Sequence, residues 1–105
     1  MSKHTFTSSL LVSNYNKDGV PRLRVSVTTK DYKFMAYSQP DGELRYLRRM
    51  ILKRTSGETI TMDYPRISKG TTNGKYTPHY ITVSANDVKK HGFKPKEPVV
   101  VQVEW

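Results

Sequence analysis

Cations that could bind phosphate are concentrated between residues 45 and 54. This stretch contains no acidic residue, and a tyrosine lies among its positive charges. Arginine forms paired hydrogen bonds with phosphate oxygens, and a tyrosine ring can stack on an unpaired base. The stretch is therefore a candidate nucleic-acid site, with a solvated surface element as the alternative. Its candidate residues are Arg45, Tyr46, Arg48, Arg49, Lys53 and Arg54.

Two further basic regions are candidates for the same chemistry. Residues 64–77 lack hydrophobic periodicity and are predicted to form a long basic loop, which could close over a phosphate backbone through Arg66, Lys69 and Lys75. Residues 32–37 alternate as in a strand, which would place Lys33 and Tyr37 on one face. On such a face Tyr37 could stack on a base, although cross-strand packing is the common use of tyrosine in sheets.

Residues suited to catalysis are scattered. His4, His79 and His91 lack the spacing of metal-ligand pairs, and the chain has no cysteine. The sequence contains neither a glycine-rich phosphate loop nor a nucleophile elbow. We therefore expect a non-enzymatic protein that uses no cofactor and no metal.

The overall composition favours an anionic partner. The 105 residues are enough for a single domain, 1–105, and the formal net charge is +9. Such an excess of cations is favourable in a protein that neutralises phosphates, so nucleic acid is the expected partner, DNA more than RNA. The hydrophobic fraction of 35% is low, and together with the apolar run 99–101 it predicts a homodimer. The N-terminus has no signal-peptide pattern and no apolar run could span a membrane, so we expect a soluble cytoplasmic protein.

Turn signals divide the chain into short segments rich in β-formers. Asp18-Gly19, Asp41-Gly42, Ser56-Gly57 and Asn73-Gly74 each suit a tight turn between strands. Strands are predicted at 5–13, 22–27, 32–37, 50–53, 58–62 and 99–103, the last of them central or at an interface. The fold class is mainly β (α+β), with a small antiparallel sheet or barrel of about five to seven strands.

Two helical segments are predicted. Ser84 and Asp87 form a capping box, the cations 89–91 suit the last turn, and Gly92 supplies the stop, so a short helix is placed at 85–91. Leu44, Leu47 and Ile51 have helical spacing, which favours a helical turn near 43–50, with a strand as the alternative.

The C-terminal part of the chain, about 74–104, resembles the swapped-hairpin module of AbrB-like transition-state regulators. The resemblance lies in the strand 80–83, the segment 88–95 that ends in Gly92-Phe93-Lys94-Pro95, and the closing strand 99–103. It implies an intertwined, DNA-binding dimer. The chain departs from the family at 77–79, where the family has an Asp…Gly-Arg turn, and at Ser84, where it has Pro. The first 70 or so residues have no counterpart.

These observations predict a nucleic-acid-binding protein, a DNA-binding regulator of transcription or an accessory factor, that acts by neutralising phosphates through a basic face. The alternative is a small basic inhibitor or adaptor that docks on an acidic surface of a partner enzyme. Such a protein would also be small, cationic and without catalytic residues.

Overall fold

The computed structural model describes residues 2–70 and 79–105, which form seven strands and two short helices. The strands make one antiparallel sheet, curved into a half-barrel, in the order β4-β3-β7-β1-β2-β6-β5. The predicted mainly β, α+β class is therefore confirmed. None of the helices in this described part of the chain is long and apolar enough to cross a membrane. In chain order the elements are β1 (Lys3–Tyr15), β2 (Pro21–Val27), α1 (Thr29–Ala36), β3 (Arg49–Arg54), β4 (Thr59–Asp63), β5 (Ile67–Lys69), β6 (His79–Val83), α2 (Ala85–His91) and β7 (Pro98–Glu104).

Two of the predicted turns close hairpins. The β1–β2 turn is held by the side-chain oxygen of Asn16, which accepts from the backbone N–H groups of Asp18 and Val20 at 3.0 and 2.8 Å. The β3–β4 turn contains Gly57 with a φ of 93°. Glycine adopts this positive φ easily, whereas a residue with a side chain would be strained there. The turn around Asp41-Gly42 also forms, but it follows α1 and does not join two paired strands.

The hydrophobic core fills the inner face of the half-barrel. Alternate residues of each strand point inward, as predicted for Leu23, Val25 and Val27, which are at most 2% exposed. The helices α1 and α2, together with the segment between α1 and β3, cover this face. Their contributions to the core are Tyr32, Met35, Ala36, Leu44, Leu47, Val88 and Phe93.

The strand β7 is central, one of the two positions predicted for it. It pairs with β1 on one side and with β3 on the other, and Val99, Val101 and Val103 are buried. Because both of its backbone edges are used within the chain, β7 is not the open edge strand that motivated the expected homodimer. That expectation has no support in the fold.

The prediction of a strand at 32–37 is wrong, because residues 32–36 belong to α1 and Tyr37 is its C-cap. The hydroxyl of Thr28 caps this helix by accepting from the N–H of Asp31 at 3.2 Å. The helix buries Tyr32, Met35 and Ala36, which have the i, i+3, i+4 spacing of one helical face. Over only six residues, the spacing of Tyr32, Phe34 and Ala36 at every second position imitated a strand.

The prediction of a helical turn at 43–50 is also wrong. Backbone groups here bond to distant partners: Leu44 N–H donates to the Tyr32 hydroxyl at 3.0 Å, and Leu47 N–H to the Pro65 carbonyl at 2.9 Å. The segment is therefore extended up to the start of β3. The predicted loop 64–77 is likewise shorter than expected, because β5 occupies 67–69 and pairs with β6. Residues 71–77 of that loop, with the Asn73-Gly74 turn, lie outside the described residues.

The helix predicted at 85–91 is confirmed residue for residue as α2. The Ser84 hydroxyl accepts from the N–H of Asp87 at 3.2 Å. Gly92 ends the helix in a left-handed conformation with a φ of 68°, and its N–H donates to the carbonyl of Val88. Val88 and the following Phe93 are buried, so the caps fix how the helix packs on the sheet.

These caps predict a measurable stability effect. Ser84→Ala removes the hydroxyl acceptor and should lower the free energy of unfolding by about 1 kcal/mol, whereas Ser84→Asp should be tolerated. Gly92→Ala should cost about 1–2 kcal/mol, because alanine strains at positive φ. Urea unfolding of the three variants measures both effects, and a Ser84→Ala variant as stable as the parent would contradict the capping role.

Candidate functional site

The predicted basic run 45–54 does not form one patch. Arg49 and Lys53 share the outer face of β3, but four residues of strand separate their Cα atoms by about 13 Å. Arg48 precedes the strand and Arg54 ends it. The run is therefore divided between opposite ends of the sheet.

Arg54 is a structural clamp. Its side chain is only 16% exposed, and Nε and Nη2 donate to the two carboxylate oxygens of Glu97 at 2.6 and 2.9 Å. Its remaining donors bond to Glu58 and to the carbonyls of His91 and Gly92, and the guanidinium lies over the Phe93 ring at 4.8 Å. The hydrogen bonds to Glu97 raise the pKa of Arg54. Its five donors are occupied, so none is left for a phosphate.

Arg45 is also paired, but at the surface. It donates to Asp41 at 2.9 Å and to Glu43 at 2.6 Å, and its side chain is 58% exposed. The hydrogen bond from Arg45 lowers the pKa of Asp41. Two carboxylates that lie just before the basic run in the sequence thus neutralise its first cation.

A row of charges crosses four strands at one end of the sheet. Cross-strand register places Asp63, Arg49, Glu104 and Lys3 side by side on the outer face. The Glu104 carboxylate is 8% exposed and lies 3.5 Å from both Lys3 Nζ and Arg49 Nε. Beyond the row, Ser2 and Trp105 exchange backbone hydrogen bonds of 2.9 and 3.0 Å. The two ends of the chain therefore meet beside these charges.

Two cavities flank this row. The larger, of about 410 Å³, is lined by aromatic and small polar side chains together with Lys3; the smaller, of about 270 Å³, is lined mainly by charged residues and Tyr64. The Lys3–Glu104 ion pair connects the two, because Lys3 lines the first and Glu104 the second. We call this region the strand-end surface, and its aromatic and cationic members are Lys3, Phe34, Tyr37, Arg48, Arg49, Tyr64 and Trp105.

The rings of the strand-end surface are unusually accessible. Tyr37 is 90% exposed, Tyr64 74% and Phe34 61%. Tyr64 also has a φ of 53°, a left-handed conformation that costs a non-glycine residue about 1–2 kcal/mol. Strain of this kind is concentrated at functional sites, where the surrounding structure maintains it. Here the N–H of Tyr64 donates to the Arg48 carbonyl at 3.1 Å, which holds the backbone of Tyr64 beside that of Arg48.

A second group of predicted site residues meets on the other side of α1. Four cations from three segments line two adjoining cavities of about 190 and 330 Å³ that share Tyr32, Glu43, Lys69 and His79 as walls. We call this region the basic cleft, and its cations are Lys33, Arg45, Arg66 and Lys69.

The remaining predicted residues do not line the cavities of either region. Lys53 is on the outer face of the sheet, where it lines a cavity of about 280 Å³ beside Val100. Tyr46 is 63% exposed and makes an isolated backbone bridge with Arg66. Lys75 lies outside the described residues.

The sequence interpretation missed four residues of the strand-end surface, namely Lys3, Phe34, Tyr64 and Trp105. Tyr64 is the first residue of the predicted loop 64–77, but it was not among the candidates in that loop. Lys3 and Trp105 belong to opposite ends of the chain, so only the pairing of β1 with β7 brings them together. Phe34 carried a usable signal, because it lies three residues before Tyr37 and two after Tyr32, and a helix would separate it from the buried face.

The described residues contain no group of three or more His, Asp or Glu side chains that could hold a metal ion. The nearest approach to such a site is one pair, His4 Nε2 and Asp31 Oδ1, at 2.8 Å. A pair alone does not make a metal centre.

Comparison with known proteins finds no matching family model, no similar curated protein and no similar solved structure. The resemblance of the C-terminal segment to AbrB-like regulators stays a prediction.

The two arginines on β3 should differ sharply in their effect on stability. Arg54→Gln removes the clamp and leaves Glu97, 12% exposed, without its partner, so the free energy of unfolding should fall by about 2–3 kcal/mol. Arg49→Gln, at a side chain 51% exposed, should change it by less than about 0.5 kcal/mol. Chemical denaturation measures both, and equal effects would show that Arg54 is not a structural clamp.

Proposed function

We propose that this protein binds single-stranded nucleic acid through the strand-end surface, with DNA as the first ligand to test. Unpaired bases stack on the rings of Tyr37, Phe34 and Tyr64, and phosphates pair with Lys3, Arg48 and Arg49. The observation that carries this proposal is the placement of highly exposed aromatic rings beside cations on one surface.

Exposed rings are the reason for proposing an aromatic ligand. An aromatic side chain contributes most to stability when it is buried, and Tyr37 contributes little because it is 90% exposed. Stacking of a base on such a ring is worth about 1–3 kcal/mol per base and tolerates any base. The proposal therefore predicts weak dependence on base sequence.

The same rings favour a single strand over a duplex. In a duplex the faces of the bases are stacked on one another, so only unpaired bases can lie on Tyr37 or Phe34. The cations supply the second half of the interaction. Arg48 and Arg49 are both exposed, and the chain as a whole has a net charge of +9 that attracts a polyanion.

The binding test uses a fluorescently labelled 20-nucleotide oligo-dT and a labelled 20-base-pair duplex in anisotropy titrations. The single strand should bind more tightly, and the logarithm of its affinity should fall linearly with the logarithm of salt concentration. The fluorescence of the single tryptophan, Trp105, should be quenched on binding, because it lines the larger cavity of the strand-end surface.

Substitutions separate stacking from phosphate contacts. Tyr37→Ala should weaken binding between about fivefold and 100-fold with little change in the salt slope. Arg48→Ala combined with Arg49→Ala should make the slope of log affinity against log salt concentration shallower by about 1.4, the value for two single-strand phosphates. The melting temperature of this double variant should be nearly unchanged.

Matched controls lie elsewhere on the molecule. Tyr15→Ala removes a ring that is 62% exposed at the far end of β1, and Lys89→Ala with Lys90→Ala removes two exposed charges from α2. Both controls should bind like the parent. If neither oligonucleotide binds below about 100 μM protein at low salt, the proposal fails and an acidic protein partner becomes the better interpretation.

A further inference from the structure

The basic cleft, on the other side of α1, has the features of a small-anion site. Its walls come from α1, the extended segment after Gly42, β5 and β6. The floor is a pair of stacked rings, Tyr32 and His79, with centroids 3.6 Å apart and planes inclined by 9°. The Tyr32 hydroxyl accepts from the N–H of Leu44 at 3.0 Å, so the floor is fixed to the core.

Positive charge exceeds negative charge in the cleft. Glu43 lies 3.8 Å from Lys69 and accepts from Arg45 at 2.6 Å, while Asp41 pairs with Arg45 as well. Lys33 and Arg66 form no ion pair with any described residue. Four cations thus meet two carboxylates, and the excess of two positive charges has no counterpart within the part of the chain that the structure describes.

From this arrangement we infer that the basic cleft binds a phosphate monoester. A monoester carries a charge of about −1.5 to −2 at pH 7, which matches the excess of two cations, whereas a phosphodiester carries only one charge. Arg66 offers the planar fork of donors that pairs with two phosphate oxygens, and Lys33 and Lys69 add point charges. The smaller cavity alone, at about 190 Å³, has room for about six water molecules, enough for a partly hydrated phosphate.

His79 supplies an internal reporter of occupancy. Its Nδ1 atom is buried and has no hydrogen-bond partner among residues 2–70 and 79–105. Burial, with a smaller contribution from Lys69, lowers the pKa of His79 against the opposing effect of Glu43 and so favours the neutral ring. An anion bound beside the ring stabilises the imidazolium and must raise this pKa.

The proposal goes beyond single-strand binding, because it uses none of the residues assigned to the strand-end surface. The monoester can be the terminal phosphate of a nucleic-acid strand or the phosphate of a free nucleotide. Both sources present the same chemistry to Lys33, Arg66 and Lys69, and the experiment distinguishes them.

The test follows the His79 imidazole by NMR during titration with thymidine 5′-monophosphate, with inorganic phosphate, and with dimethyl phosphate at equal ionic strength. The two monoester-type dianions should produce saturable shifts and raise the pKa of His79. Dimethyl phosphate, a monoanion, should bind at least about tenfold more weakly. Absence of a saturable shift, or equal responses to all three, would overturn the proposal.

Variants assign the binding to the cleft. Arg66→Gln with Lys69→Gln should weaken binding of thymidine 5′-monophosphate by about tenfold or more. Each substitution removes a positive charge and its charge-assisted hydrogen bond to the phosphate. Both side chains are exposed, so the variant should remain folded, as its melting curve will show. Lys89→Gln with Lys90→Gln, the charge-matched control, should bind like the parent. If the cleft variant bound thymidine 5′-monophosphate as tightly as the parent, the assignment to the cleft would be wrong.

A final comparison identifies the source of the phosphate. If the 5′-phosphorylated oligo-dT binds about tenfold more tightly than the 5′-hydroxyl form, and only with an intact cleft, the ligand is a strand terminus. If both bind equally while the mononucleotide still shifts His79, the cleft holds a free nucleotide and the inference stands. If no oligonucleotide binds but the mononucleotide does, single-strand binding fails and the phosphate site survives.

Discussion

The need to cover the inner face of the half-barrel determines the rest of this structure. An open, curved sheet with an apolar inner face is stable only when another layer packs on it. In this chain two short helices and the extended segment before β3 provide that layer. Because α1 turns Tyr32, Met35 and Ala36 inward, its other residues must face outward. That constraint leaves Lys33, Phe34 and Tyr37 on the outward part of the helix, where Phe34 and Tyr37 line the strand-end surface and Lys33 lines the basic cleft.

The eighteen cations of the chain have different roles that the net charge of +9 conceals. Arg54 is used entirely inside the protein, where it ties β3 to the loop after α2. Arg45 is neutralised at the surface by two carboxylates. Arg48 and Lys33 instead remain exposed beside cavities and without an ion pair among the described residues. These different roles explain why cations that lie close together in the sequence need not form one patch on the surface.

Several features that depend on neighbouring residues could be predicted from the sequence, although α1 was mistaken for a strand at 32–37. Features that depend on distant residues could not. The helix between Ser84 and Gly92 and the hairpin turns are each encoded within a few residues. Their capping residues and glycines were therefore sufficient to predict them. The segment 43–48 is extended because its backbone bonds to residues such as Pro65, which no local pattern shows. The clamp between Arg54 and Glu97 spans 43 residues, and the strand-end surface joins the two chain ends.

The central claim is that unpaired bases stack at the strand-end surface, and NMR shift mapping tests it most directly. An isotopically labelled sample is titrated with unlabelled oligo-dT at low salt, and the amide and aromatic signals are followed. The account predicts that the largest shifts cluster on Phe34, Tyr37, Tyr64 and Trp105, with Tyr15 and the residues of α2 unchanged. Shifts confined to other surfaces, or a spectrum without change at saturating oligonucleotide, would contradict it.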